Sequence, residues 1–160
     1  MRQVLVIFLL SPLMIFAQNK DTIAMKKANR IIIVTNKPAK DNYQFLKIAL
    51  ENGGYTIDLK NEDSMTVQTA ETRGNSVSVT YHLNGIAKEN EIILFGKYTS
   101  KVESSIGGTG VRDFVYDISN TGKKGSASQF TFQAMDDVAK LFKASRHYMI
   151  LDSKRTSLIK

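Results

Sequence analysis

Few residues in this chain have the type and spacing to do chemistry. Gly122-Lys123-Lys124-Gly125-Ser126 sets two cations and a hydroxyl just ahead of a helical pattern. The first N–H groups of a helix have no intrahelical acceptor, so such a position favours an anion. Lys123, Lys124 and Ser126 are therefore the candidate anion-binding residues. A nucleotide-type phosphate loop is excluded. Its upstream glycine position is Asp117, and Lys124 stands where Ser or Thr must follow the first lysine. Gly108-Thr109-Gly110 fails as a dinucleotide fingerprint in the same way, with Asp113 in place of the third glycine.

Other chemistries find less support. The chain has two histidines, His82 and His147, and no cysteine, and it shows no paired-ligand spacing. Neither a metal site nor a cofactor is expected. The serines lie in no nucleophile elbow. The adjacent carboxylates Glu62-Asp63 mark a turn, and Asp136-Asp137 fall on a helix, where neighbours point apart. No catalytic residues are assigned, and an enzyme without a recognisable signature ranks third among the functional readings. A second candidate site is apolar. Tyr81, Phe95, Phe130, Val138 and Phe142 are large side chains that would line a cavity if the sheet curves away from the second helix.

The elements that must position these residues follow from periodicity. Residues 29–35, rich in isoleucine, read as a buried strand. Asp41 and Gln44 have capping-box spacing, and Phe45, Leu46, Ala49 and Leu50 form a helical stripe that Gly53-Gly54 stops. Alternation then predicts strands at 55–59, 65–72 and 77–83. Asn84-Gly85 is a hairpin signal. The turn is nevertheless placed at Lys88-Glu89-Asn90, before a strand over 91–99. Residues 100–110 read as a loop and 114–118 as a further strand. Ser126 and Gln129 repeat the capping-box spacing ahead of a second helix to about Ala144. Phe130, Ala134, Val138 and Leu141 form its apolar line, widened by Met135, Ala139 and Phe142. A short closing strand is placed at 148–151. The fold class is α+β: an antiparallel sheet of five to six strands with two helices on one face, in β-α-β-β-β-β-α order.

The N-terminus carries a different signal. Arg2 precedes an apolar run from Val4 to Leu10, then Ser11-Pro12, then Leu13 to Phe16, with Ala17 at a cleavage position. Residues 1–17 read as a secretory signal peptide, too short to span a bilayer, which takes about 20 apolar residues. Residues 18–28 then form a flexible lead-in, 29–152 a single domain, and 153–160 a basic tail. The chain carries +7, and loss of Arg2 with the leader lowers this by one. The lysines are dispersed, which argues against nucleic acid as a partner. With no cysteine, the mature chain has no disulfides and no lipid anchor of the bacterial lipoprotein kind. The expected location is the periplasm or the medium, in soluble form, with no stable membrane insertion after the leader is removed.

The leader ending Phe16-Ala17-Gln18 resembles export signals common in Bacteroidota. The stretch Ile118-Ser119-Asn120 with Gly122 to Ser126, followed by a helix carrying Ala134-Met135 and Val138-Ala139, resembles small exported proteins of unknown function from that group. The element order is similar to TBP-like and helix-grip domains. That resemblance implies an envelope setting and transfers no catalytic residue. The leading expectation is a non-enzymatic exported domain that binds another envelope protein or a surface polymer. The alternative is a carrier of an apolar small molecule.

Overall fold

The computed structural model describes residues 24–74, 78–104 and 110–151. The proposed leader, most of the lead-in and the basic tail lie outside these residues. The described chain forms one antiparallel sheet with two helices. Its elements are β1 (Arg30–Val34), α1 (Ala39–Asn52), β2 (Ile57–Asn61), β3 (Thr66–Thr69), β4 (Thr72–Arg73), β5 (Val79–Lys88), β6 (Glu91–Ser104), β7 (Gly110–Asp117), α2 (Ala127–Lys140) and β8 (Arg146–Met149). The sheet runs β2-β3-β5-β6-β1-β8. β4 also pairs with β5, and β7 with β6. β1 and β7 thus share one side of β6, end to end: β1 meets Glu91 to Leu94, and β7 meets Lys97 to Ser104.

The sheet has eight strands rather than five or six. The expected strand 65–72 breaks at Ala70-Glu71 into β3 and β4. The supposed loop from Ser100 instead continues β6 to Ser104, and β7 begins as early as Gly110. The closing strand exists but lies two residues earlier than expected, because Ile33 and Arg30 of β1 fix Arg146 and Met149 in register.

Both helices cover one face. Tyr81, Leu83, Gly85 and Ala87 of β5, Ile92 and Leu94 of β6, and Ile31 and Ile33 of β1 point into this core. They meet Leu46, Ala49 and Leu50 of α1 and Phe132, Met135, Val138 and Ala139 of α2. The buried face of α2 also takes in Ser128 and Thr131, so it is rotated from the expected line and Leu141 is exposed. Gly85 explains why Asn84-Gly85 is not a turn. A Cβ there would lie 2.6 Å from Leu46 Cδ2, so the missing side chain is the seat of α1 on the sheet. The chain reverses at Glu89-Asn90 instead, where Asn90 adopts φ 61°.

Helix α1 begins at Ala39 after Pro38, not at the expected Asp41 cap, and Asp41 sits in its first turn. The first N–H, of Ala39, is met from afar by Glu89 Oε2 at 3.3 Å. Buried Asn42 ties this corner. Its amide donates to the carbonyls of Lys37 and Lys88 at 3.0 and 2.8 Å, and its Oδ1 accepts from the Thr35 hydroxyl at 2.9 Å. The described end of the lead-in, 24–28, forms a turn against Asn120. The Asn120 amide donates to the carbonyls of Ala24 and Met25, and Ala28 is buried.

Candidate functional site

The face of the sheet opposite the helices carries an unusual row of side chains. Strand register sets Thr66, Ile86, Ile93, Ile32 and His147 side by side across β3, β5, β6, β1 and β8. The three isoleucines are only half-buried. One step along the strands, Gln68, Asn84 and Phe95 form the next row. The Arg30 guanidinium lies 4.2 Å above the Phe95 ring, a cation–π contact. Burial pushes the pKa of Arg30 down, and the charge of Asp117 opposes that shift. Leu59, opposite Gln68, is 58% exposed. With Phe95, Ile86, Thr66 and Asn84 it lines a shallow groove of ≈ 400 Å³.

Toward the far end of the strands this face turns polar. His82 stands opposite Lys97, which stands opposite Asp117. Arg73, Thr80 and Thr99 form the row beyond. Desolvation pushes the pKa of His82 down; Glu71 pulls it up, and Lys97 adds to the fall. Among the described residues, no cluster of acidic residues and histidines has the makings of a metal site. The open face thus presents a half-buried apolar centre with charged and polar side chains at its rim.

The expected apolar pocket does not assemble from its five residues. Tyr81 and Phe130 meet edge to face at 6.2 Å, with Tyr55 hydrogen-bonded to the Tyr81 hydroxyl at 3.2 Å. Val138 and Phe142 are buried in the same layer, where Phe142 packs on Phe45 at 4.9 Å between ring centres. Phe95 is on the other face. Leu94 and Gly96 point to the helices, so strand alternation turns Phe95 the opposite way.

The expected anion site is divided as well. Ser126 caps α2: its Oγ accepts from the Gln129 N–H at 3.2 Å and donates to the Lys123 carbonyl at 2.8 Å. The Gly122 N–H is shared between Asn120 Oδ1 and Gln129 Oε1. Lys123 and Lys124 are exposed, while the Ser126 hydroxyl is engaged within the loop. The isoleucine row was missed, although a signal for it was present. Ile31-Ile32-Ile33 and Ile92-Ile93 are apolar on both strand faces, whereas a half-covered sheet needs only one.

No family model matches the chain. No curated protein matches it either. Among solved structures it is similar to a TBP-like protein from Parabacteroides distasonis, at 11% identity and a TM-score of 0.38, over 71% of this chain and 86% of that one. No residue role passes from that protein to this chain. Among the described residues no helix is long and apolar enough to cross a membrane.

Proposed function

We propose that this chain is an exported, non-enzymatic binding domain of the bacterial envelope that holds another protein against the uncovered face of its sheet. The row Ile86–Ile93–Ile32, extended by Phe95 and Leu59, carries this reading. Contiguous apolar side chains rimmed by polar and charged ones are the signature of an interaction surface. Lys88, Glu91, His82 and Lys97 supply that rim. A surface polymer, the other partner considered, would call for hydroxyls and cations at the centre rather than isoleucines. The leader-like residues 1–17 support the envelope setting. The carrier alternative loses ground because Phe95 is separated by the sheet from Val138 and Phe142, both packed in the core.

Crosslinking and co-purification from the envelope fraction of the host test the proposal. The wild-type chain is expected to bring down one stoichiometric partner, and Ile93→Lys, a half-buried position on the open face, to lose it while remaining folded. Recovery of a bare monomer, or a partner kept by Ile93→Lys, overturns it.

A further inference from the structure

Strand β7 presents a second surface of another kind. Among the described residues it hydrogen-bonds to β6 alone, so one whole edge of its backbone has no strand beside it. All five side chains from Asp113 to Asp117 are exposed, with Phe114, Val115 and Tyr116 at 41%, 62% and 45%. Register puts Phe114 and Tyr116 on the helix side, where Tyr116 stacks on Tyr98 at 5.3 Å. Val115 lies on the other side, between Asp113 and Asp117. The strand is therefore apolar on both faces along an open edge. Proteins ordinarily guard such an edge with charged side chains, proline or a bulge; here exposed charges stand at Asp113 and Asp117, and no charge, proline or bulge falls on the three residues between them.

We propose that the free edge of β7 takes an extended segment of a partner polypeptide as an added antiparallel strand. This rests on the reading of the chain as a protein-binding domain but uses a different surface. In strand addition the main chain supplies the bonding and alternate side chains supply the selection. The strand already seated on the other edge shows what β7 accepts. Lys97 and Lys101 stand opposite Asp117 and Asp113, Tyr98 opposite Tyr116, and Thr99 opposite Val115. A partner strand with the same alternation places Lys or Arg beside both aspartates and an aromatic residue beside Tyr116.

Two other occupants fit less well. A second copy pairing its own β7 about Val115 matches Phe114 to Tyr116 but sets Asp113 against Asp117 twice, and like charges directly opposite are destabilising. The residues after Leu151 are Asp-Ser-Lys-Arg-Thr-Ser-Leu-Ile-Lys, which hold no aromatic residue to set beside Tyr116 and no two cations four apart to match Asp113 and Asp117.

The probe is a labelled synthetic peptide, Lys-Tyr-Thr-Ser-Lys-Val-Glu-Ser, copying residues 97–104. It is titrated into the full chain and followed by anisotropy and by hydrogen exchange of the β7 amides. Binding with slowed exchange in β7 is expected. It should weaken by about tenfold or more for Val115→Lys, and likewise when alternate peptide nitrogens are methylated, because both remove strand pairing. Ile93→Lys should leave it unchanged, so this test fails or succeeds apart from the open face. No slowing in β7, or binding undiminished by Val115→Lys in a chain shown to be folded, overturns the proposal. Dimerisation abolished by Val115→Lys assigns the edge to a second copy and also overturns it. So does much tighter peptide binding by a chain ended at Leu151, which assigns the edge to residues 152–160.

Discussion

Between Glu91 and Leu94, strand β6 has β1 on one side and β5 on the other, and it lies beneath the helices. Between Lys97 and Ser104, β7 takes the place of β1. In the first half the alternation is complete: Ile92 and Leu94 are fully buried, and Ile93 and Phe95 are half-buried on the open face. In the second half large side chains remain at the surface, on β7 most of all. The same strand thus serves as the spine of a core and then as the stem of a ribbon. Buried side chains are concentrated in the first half, which also carries the isoleucine row on its open face, while the second half carries the free edge of β7.

Breaking the first half should have the largest effect. Leu46 is fully buried over Gly85, so Leu46→Ala is expected to cost about 2–5 kcal/mol in urea denaturation. Gly85→Ala should also destabilise, because its Cβ meets Leu46. The two together should cost less than their sum, since the added methyl enters the space left by the leucine. Strict additivity would show that α1 does not sit on this glycine.

Gly96, at the junction of the halves, comes next. A Cβ there runs into the His82 carbonyl oxygen and lies 2.8 Å from Ile118 Cδ1. A backbone oxygen held in the β5–β6 ladder yields little, and Gly96→Ala should lower stability by about 1–3 kcal/mol. A neutral result would mean that the two halves are not rigidly joined.

The smallest effect belongs to the second half. Desolvation, joined by the nearby Lys97 and opposed by Glu71, depresses the folded pKa of His82, so the unfolded chain binds the proton more tightly. Stability attributable to this group is present above the unfolded histidine pKa and is lost as pH falls through the lower, folded one. Denaturation midpoints measured downward from pH 7 should fall slightly more for wild type than for His82→Gln. Equal slopes would place His82 in fully solvated surroundings.

What the sequence made legible was local. Ser126 caps α2 as its spacing implies, because its acceptor role on the Gln129 N–H lies within one turn, whereas the Gln129 side chain reaches back to the Gly122 N–H rather than to that of Ser126. The same logic misplaced the start of α1, where Glu89 accepts from the Ala39 N–H across a separation of 50 residues. Asn84-Gly85 reads as a turn in isolation and becomes a seat for Leu46 only once α1 is docked. The proposed pocket failed at Phe95 for a reason already in the alternation, since Leu94 and Phe95 cannot face the same way. The open-face row was the least legible. An all-apolar strand announces that both faces are covered, without saying whether the second cover belongs to the same chain.

Strand β1 lies between two strands that are made long after it. Ile31 needs Leu94 on one side and Tyr148 on the other. As the chain emerges, β5, β6 and β7 form a meander of neighbours that can close early, while β1 waits with its hydrogen-bonding groups unmatched. Pairings so distant in sequence are slow to form. Insertion of β1 along β6, followed by β8 along β1, is therefore the longest-range step in assembling the sheet, and until it happens Ile31 and Ile33 have no strand beside them.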